Sequence, residues 1–159
     1  MDTAPAPVAA APTLTNPGVR AATPRKLFVN LPVADVQRTV TFFEGLGFTF
    51  NAQFTGPDTA AMHIGEDAYA MFMTHARFVG FSNRPIPDLH THTGAIFALG
   101  VESRAAVDAM LGRAVATGGT PAQDGAQDHG FMYGNSFHDP DGHPWEVFWM
   151  DPAHVRGGE

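Results

Sequence analysis

Glu146 stands in an otherwise apolar run, Pro144-Trp145-Glu146-Val147-Phe148-Trp149-Met150, near the end of a 159-residue chain. A strand turns alternate side chains to opposite faces. One face of this run then carries Trp145, Val147 and Trp149, and the other Glu146, Phe148 and Met150. A carboxylate among apolar side chains must be paired, protonated or hydrogen-bonded. Three chemistries suit it: ligating a divalent metal, accepting a proton, or hydrogen-bonding a ligand's cation or hydroxyl.

The polar residues that can join it are few. Asn30 shares a strand face with Phe28. His63 lies in "AAMHIG", and Tyr133 and Asn135 alternate with Gly134 in "FMYGNSF". His129 opens that last segment and stands either at the rim of a site or in a plain loop. Each has a structural alternative: an edge hydrogen bond to backbone for Asn30, a satisfied core histidine for His63, solvent for Glu146. His90 and His92 form an H-x-H pair, a spacing that can bind zinc. The favoured reading of that pair is a surface loop.

The elements that must position these residues follow from periodicity. "KLFVNLPV" (26–33) reads as a strand, and "DVQRTVTFFEGLG" as a helix capped by Asp35. "FTFNAQF" (48–54), "TAAMHI" and "AYAMFMT" read as strands, the last two joined by the turn "GED". The order then recurs. "AIFALGV" (95–101) is a strand, and Ser103 caps a helix with Val107, Met110, Leu111 and Ala114 as its stripe. "TPAQDGAQDHG" is irregular, with Pro121 limiting any strand there to an edge. "FMYGNSF" and "HPWEVFWM" are strands around "DPDG", a type I turn.

Two β-α-β-β-β halves therefore predict an α+β domain over 25–152: half one 25–75, a linker 76–94, and half two 95–152. Paired curved sheets with helices outside form a cup, and concave surfaces bind small ligands. The Ala- and Pro-rich residues 1–24 read as a disordered tail, and 153–159 as a flexible end.

Composition excludes several classes. The hydrophobic fraction is 44% and the formal charge −7. No basic cluster offers a footprint for nucleic acid, and an acidic surface disfavours anionic membranes. No apolar run reaches membrane-spanning length. There is no cysteine, so thiolate and disulfide chemistry are absent. Without a signal-peptide pattern, the cytoplasm is the expected location.

Three stretches, "VNLPVADVQRTVTFFEGLGFTF", "FALGVESRAAVDAMLGRAVATGGTP" and "FHDPDGHPWEVFWMDP", resemble the vicinal oxygen chelate superfamily of glyoxalases, bleomycin resistance proteins and extradiol dioxygenases. Within it the chain looks most like proteins labelled predicted lactoylglutathione lyases, whose ends share "QDHGFMYG" and "DGH-x-WE". The resemblance implies the paired βαβββ cup, a homodimer, and metal ligands on the first and last strands of each half. Carried over one at a time, those positions are Phe28, Phe72, Ile96 and Glu146. Three of the four hold no donor. His92 lies four residues before Ile96, roughly 13 Å along a strand, against metal bonds of about 2 Å.

Two functions follow from the resemblance. One is a glyoxalase-like lyase or isomerase with catalytic Glu146, which a divalent metal (zinc, nickel or manganese) would assist. The other is a metal-free protein that binds or sequesters a small molecule. The expected pocket is Phe28, Asn30, Phe72, Ile96, His129, Tyr133 and Phe148. An extradiol dioxygenase needs two histidines where Phe28 and Ile96 stand, and is set aside.

Overall fold

The computed structural model describes residues 25–154. The expected tail 1–24 and most of the C-terminal end, 155–159, lie outside the described residues. Half one runs β1 (Leu27–Val33), α1 (Val36–Gly45), β2 (Thr49–Phe50), a 3-10 turn (Ala52–Phe54), β3 (Thr59–His63) and β4 (Ala68–Thr74). A short α2 (His75–Phe78) leads into the linker. Half two runs β5 (Phe97–Gly100), α3 (Arg104–Ala116), β6 (Thr120–Pro121), β7 (Gln127–Asp128), β8 (Met132–His138) and β9 (Pro144–Met150). The sheets are ordered β1-β4-β3-β2 and β5-β9-β8-β6, with β7 also paired to β8. The fold is α+β, and neither sheet closes on itself.

The halves repeat the same local devices. In each, the first strand pairs parallel to the last, β1 with β4 and β5 with β9. In each, a short polar side chain caps the helix: the Asp35 carboxylate accepts from Arg38 N at 2.9 Å, and the Ser103 hydroxyl from Ala106 N at 3.0 Å. Such caps satisfy donors that a helix start leaves unpaired.

Four local expectations are corrected. The strand expected over 48–54 is only two residues long. The Asn51 side-chain oxygen Oδ1 accepts from Gln53 N at 2.9 Å, which favours a turn over a ladder. The linker begins with α2, capped by Thr74. Strand β5 starts at Phe97, so Ile96 precedes it. The irregular stretch before β8 contains β7, a two-residue pairing with Tyr133 and Gly134.

One core serves both halves. The Phe43 ring on α1 meets Phe72 of β4 at 5.0 Å and Trp145 of β9 at 5.1 Å, between ring centroids. Phe42 meets Phe137 of β8 at 6.0 Å. All five rings are buried. Asp141 adds a polar tie, accepting from Ala34 N at 2.7 Å and Arg38 Nη2 at 2.9 Å.

Candidate functional site

Register decides which side chains can meet a ligand. On β1, Leu31 and Val33 enter the core, so Phe28 and Asn30 face away from it. Their β4 partners are Tyr69 and Met71. On β3, Ala61 and His63 pair with Met71 and Tyr69 and share that face. These residues line a cavity of about 460 Å³. Its floor is Ala61 and Met71, one wall is Phe28 and Tyr69, and the other is Asn51 and Phe54 from the 3-10 turn. Lys26 and His63 complete the lining. The size falls within the range of small-molecule sites, about 300–1,000 Å³.

The aromatic wall is pre-arranged. The Phe28 and Tyr69 rings stack at 4.9 Å with an interplanar angle of 12°. His63 meets the Tyr69 ring at 5.3 Å and 60°. The Tyr69 hydroxyl donates to the Glu66 carbonyl at 3.2 Å, which fixes the ring from its outer end. Phe28 is nonetheless 54% exposed, so its ring is held without being covered.

Half two presents its equivalent face differently. Glu146, Phe148 and Met150 point away from the core, opposite Ser136, Gly134 and Met132 of β8. The space beside Glu146 is only about 10 Å³, between Gln123, Gln127, Asn135 and Phe148. That is room for one water at most. Phe148 is the reason. A Cβ added to Gly134 would meet Phe148 Cβ at 3.5 Å, and one on Gly100 would meet Phe148 Cζ at 3.6 Å. The ring lies over Gly100 and the Cβ beside Gly134, so the Phe148 side chain takes up space on that face. Among the described residues Glu146 makes no side-chain hydrogen bond or ion pair, and the nearby Ser136 hydroxyl is buried without a partner.

The expected pocket therefore separates into different places. Phe28 and Asn30 line the half-one cavity together with the companion His63. Phe148 and Glu146 sit in the small space of half two. Ile96, 63% exposed, belongs to neither. Phe72 does not line a pocket: it is fully buried against Phe43. Phe72 pairs with Leu31, on the core side of the sheet, whereas Phe28 pairs with Tyr69 on the other; one residue along a strand turns a side chain to the opposite face. Tyr133 is on the face opposite Glu146, where its hydroxyl donates to Asp108 of α3 at 2.8 Å. That bond, helped by burial and by the Asp108 charge, holds its phenol above the ordinary range. His129 is exposed at the β7–β8 loop and lines neither space. Lys26, Asn51, Phe54, Ala61, Tyr69 and Met71 join the lining with no motif in the sequence to mark them. The parity of Tyr69 and Met71 with Phe28 across a parallel pair carried the signal, but only once the register was known.

The loop before β8 is fastened on the helix side. Arg104 donates two bonds to the Asp128 carboxylate, at 2.6 and 3.0 Å, and one to the Gly130 carbonyl at 2.7 Å. Its guanidinium also lies over the Tyr133 and Trp149 rings, at 5.0 and 5.2 Å. The hydrogen bonds from Arg104 and Gly130 N lower the Asp128 pKa from its usual value.

The "DPDGHPW" turn has a structural office. Both Asp139 and His143 are buried. The Asp139 carboxylate accepts from His143 Nδ1 at 2.9 Å, Trp145 Nε1 at 3.1 Å, and the backbone N–H groups of Asp141 and His143 at 3.0 Å each. Gly142 closes the turn at φ +94°, against the Leu89 carbonyl. His90 and His92 lie in the turn that follows, where His92 Nδ1 bonds the Thr91 hydroxyl at 2.8 Å.

A divalent metal does not fit the residues present. Phe28, Ile96 and Phe72 offer no donor, and Glu146 is flanked across the sheet by Ala98 and Ser136. Among the described residues no group of three or more His, Asp or Glu side chains could hold an ion.

Residues 27–147 match the family model described as the Glyoxalase/Bleomycin resistance protein/Dioxygenase superfamily. Solved structures share the fold. A hypothetical protein, SA1046 from S. aureus, is 23% identical with a TM-score of 0.69, over 80% of this chain and 95% of that one. A glyoxalase/bleomycin resistance protein/dioxygenase family enzyme from Burkholderia phytofirmans PsJN is 17% identical with a TM-score of 0.64, over 77% and 96%. TioX from Micromonospora sp. ML1 is 22% identical with a TM-score of 0.53, over 77% and 94%. No curated protein matches the sequence.

Proposed function

Because this chain belongs to the glyoxalase/bleomycin resistance protein/dioxygenase superfamily, whose fold supports both metal enzymes and metal-free binders, we propose that it works as the second kind. It binds a small organic molecule in the half-one cavity. The observation that carries this reading is the contrast in space: about 460 Å³ in half one against about 10 Å³ beside Glu146. Apolar burial supplies the affinity, at about 25 cal/mol per Å², and the stacked Phe28–Tyr69 wall gives a flat surface to bury against.

The glyoxalase-like alternative requires a metal held by Glu146 and donors other than Phe28 and Ile96. The two readings separate in one set of measurements. Naphthamide, a neutral flat probe, is expected to bind the wild-type protein, to lose at least tenfold in affinity in Ala61→Phe, where the new ring fills the cavity, and to bind unchanged in Glu146→Gln. Stoichiometric nickel or zinc with hemithioacetal isomerisation, both abolished by Glu146→Gln, would reverse the conclusion. A cytoplasmic homodimer is part of the same proposal. Leu27 and Ile96, 60% and 63% exposed, are among the large apolar side chains a second copy could cover. Sedimentation of the full chain at monomer mass would remove it.

A further inference from the structure

The charge of the ligand is written in the cavity's mouth. Lys26 is the chain's one lysine, in a sequence of net charge −7. It lines the cavity, and no Asp or Glu does. Among the described residues it has no ion-pair partner. Its ammonium stands 5.8 Å from the Tyr69 centroid, on the ring that also forms the stacked wall.

Aromatic walls can serve two kinds of ligand. Rings that surround an open space attract cations through their negative faces. Flat ligands instead stack on them, offset or edge-on. Here Lys26 already engages Tyr69 as its cation, so a second cation would meet a like charge and find no carboxylate to offset it. A flat ligand with a negative substituent meets the reverse: a stacking surface on the Phe28 ring, which Tyr69 backs and leaves 54% exposed, an apolar floor on Ala61 and Met71, and an ammonium at the rim. Asn30, Asn51 and His63 add polar groups around the same space.

We propose that the cavity selects planar aromatic acids, with the ring system against Phe28, which Tyr69 backs, and the carboxylate on Lys26. This deepens the reading of the half-one cavity as a ligand site and rests on it. Lys26 sets specificity in this arrangement, and the aromatic wall sets affinity.

Three probes of one shape and different charge test it: naphthoate, naphthamide and naphthylmethylammonium, titrated calorimetrically into the full chain at low ionic strength. An exposed ion pair contributes modestly, so naphthoate should bind about fivefold tighter than naphthamide. The ammonium probe should bind weakest. Lys26→Met keeps the apolar stem and removes the charge. It should bring naphthoate down to naphthamide's affinity and leave naphthamide unchanged. Phe28→Ala should weaken both. Equal affinity of the acid and amide in the wild type, an unchanged preference in Lys26→Met, or tightest binding of the ammonium probe would each overturn the proposal. If naphthamide binds and Ala61→Phe removes it while charge makes no difference, the cavity stands and only the ligand class fails. If no probe binds, both fall together.

Discussion

The two halves start from the same plan and end with opposite concave faces. Each has a capped helix and a parallel first-to-last strand pair. Half one keeps its face open: a small floor residue, Ala61, lies between aromatic walls carried by β1, β4 and the 3-10 turn. Half two closes its face with Phe148 over Gly100 and Gly134. The lone acid of β9 therefore lies in a space with no room for a substrate. Duplication supplies a scaffold twice, and a few side-chain volumes decide which copy remains a site.

The comparison depends first on the halves being one cooperative unit. Phe43 touches the buried rings of both, so Phe43→Ala should cost about 3–5 kcal/mol, read from urea unfolding. A single transition for both halves is expected, and two separate transitions would break the picture. Next comes the rigidity of half two. Asp139→Ala strips the acceptor from Trp145, His143 and two backbone N–H groups at once. A loss of about 3–5 kcal/mol is expected, as for breaking a buried charged partner; a loss below about 1 kcal/mol would show that the turn is not the hub its hydrogen bonds imply.

A subtler change tests whether volume alone separates the faces. Phe148→Ala should open half two's cup and raise naphthamide stoichiometry from one site to two. An unchanged stoichiometry would mean that Glu146 or the loop before β8 also excludes ligand. The smallest effect concerns the helix-side face of half two. In Tyr69→Phe, Tyr133 is the remaining tyrosine, and its phenol should titrate above the ordinary tyrosine value near 10. The folded state holds that proton more tightly than the unfolded one. Its contribution is thus complete below the unfolded pKa and lost as pH rises through the raised folded value. Asp108→Asn should bring the absorbance titration down. A phenol already ionising at or below the ordinary value would contradict the Tyr133–Asp108 bond.

Much of the frame was legible in the residues. Alternation in "PWEVFWM" correctly separated Trp145, Val147 and Trp149 from Glu146, Phe148 and Met150. Asp35 and Ser103 marked both helix starts. The site was less legible. The sequence does not say which parity of β4 faces Phe28: Phe72 belongs to the core with Leu31, and Tyr69 and Met71 hold the cavity face. Parity within β8 does not say which face meets α3, so the pocket expected of Tyr133 is in fact a contact with Asp108 of that helix. The alternation over 48–54 suggests a strand, but the Asn51 side chain turns the chain and brings Asn51 and Phe54 into a wall of the cavity.

By itself the sequence determined the order of elements, the repeat, the caps and the alternating faces, because these depend on neighbours within a few positions along the chain. It also determined that three of the four ligand positions implied by resemblance carry no donor. Only the tertiary structure decided which face becomes a cavity. That outcome depends on volumes brought together from distant segments: Phe148 against Gly100 and Gly134 in one half, Ala61 between Phe28 and Phe54 in the other.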